Sequence, residues 1–235
     1  MLGSRRMSLN SLIFRVGAIL FDLDGTLVDS TASVGRIWSV WARHHNLDPD
    51  WVIEQAHGRR SIETIQLCAP WLDAEAETER MESLEIDDTQ ELTVIPGTLE
   101  LLRSLPAHRW GIVTSGTRPL ATSRIRNAGL SEPRVLVTAT EVKEGKPSPE
   151  PYIRGSQLVG FAPQQCLVFE DTPAGIGSAR NAGMQAVGLT TTYAVEQLEG
   201  ATAVIPDLRS IRVTLQDGLL EVHVASAKTV SALGS

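Results

Sequence analysis

Val16-Gly17-Ala18-Ile19-Leu20-Phe21-Asp22-Leu23-Asp24-Gly25-Thr26 is a short, continuous apolar run that ends in two acids and a glycine. That is the pattern of a buried parallel strand delivering polar side chains at its C-terminal tip. Three further runs look alike: Trp110-Gly111-Ile112-Val113, Cys166-Leu167-Val168-Phe169 and Met184-Gln185-Ala186-Val187-Gly188-Leu189, with Val135-Leu136-Val137 a weaker fourth. Helical patterns fall between them, at about 119–129, 149–160 and 172–182. This alternation predicts an α/β fold, a doubly wound, Rossmann-like parallel sheet. Ligands in such sheets bind beyond the carboxyl ends of the strands.

Residues 31–93 break the alternation. Ile37, Trp38, Val40 and Trp41, then Val52-Ile53, Ile62, Ile65 and Leu67, then an acidic stretch at 73–91, predict consecutive helices and no strand. Pro96-Gly97 marks the return of the chain, and Thr98 to Leu105 reads as a helix. The expected organisation is a core of residues 1–30 and 94–235 carrying an inserted helical cap at 31–93. Ile211 to Leu215 and Leu219 to Val224, around Gln216-Asp217-Gly218, predict a β-hairpin. The last ten residues are small and polar and are expected to be loose.

At 235 residues and 42% hydrophobic, the chain is long enough for one sizeable core with a smaller insert. Its net charge of −7, with no Lys/Arg run, argues against nucleic acid or an anionic membrane as partner. Cys68 and Cys166 each sit in a separate apolar stretch, which predicts buried thiols in a reducing, cytoplasmic setting rather than a disulfide. Arg5-Arg6 and the apolar residues after them loosely imitate a secretory leader, but no small-residue cleavage site closes the run. No stretch approaches the roughly 18 apolar residues of a membrane span. A monomer or weak homodimer is expected.

Asp22 and Asp24 stand two residues apart at a strand tip, where the period of two aims both the same way. Such a pair suits a divided task in phosphoryl transfer: one carboxylate attacks phosphorus and the other moves a proton. Two acids this close repel unless a proton or a divalent cation is shared, which calls for magnesium. Alone, the motif is also an ordinary Asp-Gly turn. Thr114-Ser115-Gly116-Thr117 ends a second strand ahead of a helix, gathering hydroxyls and free amides where a phosphate can be held. Glu144-Gly145-Lys146-Pro147-Ser148-Pro149 fixes a lysine in a chain with only two others, Lys143 and Lys228, and makes Lys146 the natural cation for an aspartyl phosphate. Glu170-Asp171 closes a fourth strand before another helix, where Asp171 is alternatively a helix N-cap. Together the four elements form a complete set for metal-assisted phosphoryl transfer.

With these motifs the chain resembles the haloacid dehalogenase superfamily over residues 15–215. Thr114 to Arg118, Gly145 to Tyr152, Val168 to Gly175 and His57-Gly58-Arg59-Arg60 resemble its glycerol-phosphate, 2-deoxyglucose-6-phosphate and broad sugar-phosphate phosphatases. The resemblance implies that Asp22 is the nucleophile and Asp24 the acid/base. It also implies that Thr114, Ser115 and Lys146 hold phosphate, with Gly58 and Arg59 on the substrate. Magnesium would be bound by Asp22, the Asp24 carbonyl and Asp171, with Glu170 assisting.

Asp24 argues against dehalogenation, which needs no acid for a leaving alkoxide, and the absence of lysine from residues 30–95 argues against Schiff-base phosphonate chemistry. A hexose-phosphate mutase of the β-phosphoglucomutase kind is the alternative, and a phosphate-ligand binding protein the non-enzymatic one. Substrate choice is expected in the cap, with His57, Arg59, Arg60 and Glu63 as candidates for a hydroxyl-rich ligand. Trp38 and Trp41, at helical spacing, belong in the cap core rather than against a sugar ring. Trp51 is the third tryptophan open to such stacking.

Overall fold

The structure is a computed structural model and describes residues 10–227. The Arg5-Arg6 leader imitation and the loose tail fall largely outside those residues. The apolar run at 16–21 is not one strand but the junction of two. β1 (Asn10–Val16) ends where Gly17 turns the chain, and β2 (Ala18–Phe21) begins beyond it. Gly17 packs against the Phe161 ring, and a Cβ at this position would sit 2.2 Å from that ring, so any other residue would have to displace it.

After β2 a tight turn leads to β3 (Val28–Asp29), then four helices follow: α1 (Thr31–His44), α2 (Pro49–Ala56), α3 (Ser61–Cys68) and α4 (Ala74–Asp87). Asp48 and Asp73 cap α2 and α4 through their side chains, and Pro49 occupies a first-turn position where no amide is needed. The four helices enclose an apolar cluster of their own, built on Trp38, Trp41, Val52, Ile65 and Met81. Both tryptophans are buried, whereas Trp51 is exposed. β4 (Thr93–Val94) then pairs antiparallel with β3, so the way into the helices and the way out run through one two-stranded ribbon.

The remainder alternates: α5 (Thr98–Ser104), β5 (Trp110–Val113), α6 (Arg118–Asn127), β6 (Leu136–Val137), α7 (Glu150–Val159), β7 (Cys166–Glu170), α8 (Pro173–Asn181), β8 (Gln185–Leu189) and β9 (Ala203–Ile205). Six strands form a parallel sheet in the order β6-β5-β2-β7-β8-β9. β9 extends it beyond the sequence-based expectation. The sheet is covered on both faces, which is why its strands read as unbroken apolar runs. Ile19, Phe21, Ile112 and Phe169 face one cluster; Ala18, Leu20, Val113 and Val168 face the other.

The predicted hairpin is present as β10 (Ile211–Gln216) and β11 (Leu219–Ala227), and β1 pairs with β11 to make a separate three-stranded antiparallel sheet. Phe14, Val16, Leu220, Val222 and Val224 of that sheet close the first apolar cluster. Cys68 and Cys166 are buried, free and in different clusters. Among the described residues no helix is long and apolar enough to cross a membrane.

Candidate active site

Strand order and register assemble the site. β2 lies between β5 and β7, with Phe21 level with Ile112 on one side and Phe169 on the other. The chain leaves β2 for β5 and β6 on one flank, then crosses to β7, β8 and β9 on the other, so a crevice opens beyond the tip of β2. Asp22, Thr114 and Glu170-Asp171 therefore emerge side by side. The turn after Asp22 is closed by Gly25 donating its amide to the Val28 carbonyl at 2.7 Å and by Val28 donating to Leu23 at 2.9 Å. Gly25 takes a φ of +82° there, a left-handed conformation that a side chain resists.

Lys146 is not a solvated turn residue. It is 2% exposed, and its three ammonium protons are used on Asp22 Oδ1 at 2.5 Å, Glu170 Oε1 at 2.7 Å and the Val113 carbonyl at 3.1 Å. Its ammonium also lies 5.1 Å from the Tyr152 ring centroid. Burial alone disfavours that charge, yet Asp22 and Glu170 hold Lys146 protonated well above the ordinary lysine range. Burial lifts the Asp22 carboxyl well above the usual carboxylate range. Lys146 opposes the lift, while Glu170, Asp171 and Asp24 add to it.

Glu170, expected to assist the metal, is held by protein donors. Its Oε1 accepts from Lys146 and from the Tyr152 hydroxyl at 3.1 Å, and its Oε2 accepts the amides of Asp171 and Thr172 and the Thr172 hydroxyl. Both oxygens are occupied by protein donors, so Glu170 anchors the lysine and the strand tip. The cap of α8 is Thr172, which accepts from the Gly175 amide, and this leaves Asp171 free of the capping task.

Asp171 is 1% exposed. Its Oδ1 accepts from the Thr26 hydroxyl at 2.9 Å, while its buried Oδ2 has no well-formed hydrogen bond. Burial and the neighbouring Glu170 push its carboxyl up to about 8. One ammonium thus faces three buried carboxylates, Asp22, Glu170 and Asp171, and the deficit is of the kind a divalent cation removes. A Cβ on Gly25 would lie 2.1 Å from Asp171 Oδ2, so glycine leaves that oxygen room. The donors are hard oxygens and fit magnesium, which takes one or two carboxylates and completes its shell with water and substrate phosphate. Among the described residues no three His, Cys, Asp or Glu side chains converge as a metal cluster.

Asp24 is held by the Ser30 hydroxyl at 2.7 Å and paired with Arg124 at 2.6 Å. Thr114 is buried and accepts from the Gly116 amide. Ser115, expected on phosphate, spends its hydroxyl on the Gly58 carbonyl at 2.8 Å, across to the loop between α2 and α3. Gly58 has a φ of +76°, and a Cβ there would sit 2.5 Å from Thr172 Oγ1. Arg59 and His57 line the same pocket as Asp22, Asp24, Thr114 and Asp171. Arg60 and Glu63 do not: they pair with each other, and Glu63 accepts the Gly145 amide at 3.1 Å, beneath the turn that carries Lys146.

Four contributors escaped the sequence reading: Thr26, Tyr152, Glu85 and Arg124. The first two lie inside quoted motifs, beside residues with clearer chemistry. Arg124 and Glu85 gave no signal, because a charged residue within a polar helical pattern reads as solvated surface.

The haloacid dehalogenase-like hydrolase family model matches residues 19–189. Hexitol phosphatase A of Escherichia coli is 42% identical over 207 residues, covering 86% of this chain and 96% of that protein. Glycerol-1-phosphate phosphohydrolase 2 of Saccharomyces cerevisiae is 32% identical over 86% of each chain. A hydrolase from Pseudomonas syringae superposes with a TM-score of 0.75 at 28% identity, over 82% of this chain and 94% of that one.

Proposed function

The chain belongs to the haloacid dehalogenase-like hydrolases, and from that premise we propose that it is a magnesium-dependent phosphatase acting on small sugar or polyol phosphates through an aspartyl phosphate on Asp22. The observation that carries this reading is Lys146, buried and charged between Asp22 and Glu170, with Asp24 and Asp171 opening on the same pocket. Relatives named as hexitol and glycerol-1-phosphate phosphatases favour hydrolysis over isomerisation and a hydroxyl-rich leaving group. Two buried free thiols favour a reducing, cytoplasmic setting.

Asp22 attacks phosphorus as the bond from phosphorus to the substrate oxygen breaks, and Asp24 gives that oxygen a proton. Asp24 then takes a proton from water as its oxygen attacks the phosphorus, which releases inorganic phosphate and restores Asp22. Lys146 and Thr114 hold the charged phosphoryl oxygens. Asp22, the Asp24 carbonyl and Asp171 would hold magnesium, which would supply charge neutralisation at the phosphoryl group. The helices over the pocket, read as a cap of residues 31–93, keep water away and offer His57 and Arg59 to the substrate's hydroxyls.

Phosphate release from sorbitol 6-phosphate, glycerol 1-phosphate, 2-deoxyglucose 6-phosphate and para-nitrophenyl phosphate, with magnesium or with EDTA, tests the reading. Turnover is expected on at least one polyol or sugar ester with magnesium and none with EDTA. Asp22→Asn should leave an intact fold with no turnover. Activity in that variant, or isomerisation of a hexose 1-phosphate without phosphate release, would overturn the assignment.

A further inference from the structure

Arg124 lies on α6, yet it is only 4% exposed and its guanidinium reaches two elements. Nη1 is 2.6 Å from Asp24 Oδ1, in the turn after β2, and Nη2 donates to Glu85 Oε2 on α4. One side chain therefore spans the boundary between the parallel sheet and the four-helix unit. Glu85 is itself buried, and its Oε1 accepts the Trp38 indole N–H at 3.1 Å, which ties it into the apolar cluster of that unit. All three charged groups line the pocket that holds Asp22 and Thr114.

A guanidinium is planar and always charged, and it presents separate donor edges that can bind two carboxylates at once. Here it faces two carboxylates, Asp24 and Glu85, and moving either away leaves a buried donor edge without its acceptor. The position of Asp24 and the seating of α4 are thus coupled through a single rigid group.

We propose that Arg124 is a positioning residue that aims the Asp24 carboxyl at the leaving oxygen only while Glu85 is seated, so that docking of the helices and placement of the acid/base are one event. The proposal rests on the reading of Asp24 as acid/base. In the step that phosphorylates Asp22 an alkyl phosphate releases a strongly basic alkoxide and depends on that proton, whereas an aryl phosphate releases a stable phenolate and depends on it little; the later attack of water, with Asp24 as base, is common to both esters and lies outside kcat/KM. The leaving group therefore separates mispositioning of Asp24 from general damage.

The test compares wild type with Glu85→Gln, Arg124→Gln and the double variant, using the best alkyl phosphate of the panel and para-nitrophenyl phosphate, with thermal unfolding as a check on folding. Each single variant should lower kcat/KM for the alkyl ester about a hundredfold, in the range of one acid/base contribution. The loss on the aryl ester should be at least tenfold smaller. The double variant should be no worse than the poorer single, since both act on one group. Glu85→Gln is nearly isosteric and keeps the test available where an Arg124 variant misfolds. Equal losses on both esters would make Arg124 a packing residue, and additive losses would detach Glu85 from it. Wild-type protein that turned over neither ester would overturn the phosphatase reading itself, a result distinct from either.

Discussion

Lys146 shows how a residue acquires its chemistry from burial. In solution its ammonium would be one cation among water molecules; here it is fully enclosed, and each proton points at an oxygen that the fold has brought to it. The same enclosure, with no carboxylate to offset it, acts on His57, whose Nε2 is buried with no hydrogen-bond partner among the described residues and whose charged form is penalised by burial. Its pKa lies below the ordinary 6.5, so the folded chain takes up the proton less readily than the unfolded chain. The stability this contributes is complete above the unfolded value and is lost as pH falls through the lower, folded one. The difference in unfolding midpoint between wild type and His57→Gln should therefore shift against wild type on going from pH 7 to pH 5. A difference that stays constant across that interval would show that His57 titrates as if exposed.

At the scale of elements, much of the molecule could be read from the chain because local pattern and tertiary environment agreed. The runs at 110–113, 166–169 and 184–189 are strands of the parallel sheet, and the helices at 98–105, 119–129, 149–160 and 172–182 lie within a few residues of their expected bounds. Reading failed where one pattern served two structures. Val16 to Phe21 is equally apolar on both sides of Gly17, so nothing in its composition announces that β1 leaves the parallel sheet for an antiparallel one. β9 is only Ala203–Ile205, too short for periodicity to register. In the site, Asp22, Lys146 and Asp171 were readable because glycine and proline punctuate their turns. Arg124 was not, because its role depends on which helix packs above it. The antiparallel sheet closes the core: Leu220, Val222 and Val224 are fully buried in the main apolar cluster. Burial of such side chains contributes roughly 1.5–3 kcal/mol each, a total comparable with the whole stability of about 5–15 kcal/mol typical of a domain. A chain ended after Gly218 should therefore fail to give folded protein. Soluble material with a cooperative thermal transition would show the sheet to be an appendage.

Across the whole molecule, two kinds of contact divide the labour. Apolar clusters hold the sheet layers and the four-helix unit separately, and the clusters of the sheet do not merge with that of the helices. The boundary between the two is polar: Ser115 donates to the Gly58 carbonyl, the Gly145 amide to Glu63, Tyr193 to the Glu54 carbonyl at 3.2 Å, and Thr117 to Glu82. The bonds to carbonyls are worth only about 0.5–1.5 kcal/mol net and those to the carboxylates about 1.5–3 kcal/mol, because water replaces them on opening. The chain crosses between the two parts through the short β3–β4 ribbon. The buried Arg124–Glu85 pair spans the same boundary and opposes opening, and a ligand that bridges the two parts shifts the equilibrium further towards closure. Magnesium with orthovanadate, a phosphoryl mimic that Asp22 and Lys146 can engage, should therefore slow amide exchange at residues 57–61 and 143–146 by about tenfold, a coupling within the usual range for linked sites. Amides inside α1 should change little, since the cluster behind them is intact in either state. Uniform slowing throughout the chain would indicate global stabilisation instead, and no slowing at Gly145 would mean that its bond to Glu63 persists whether or not the pocket is filled.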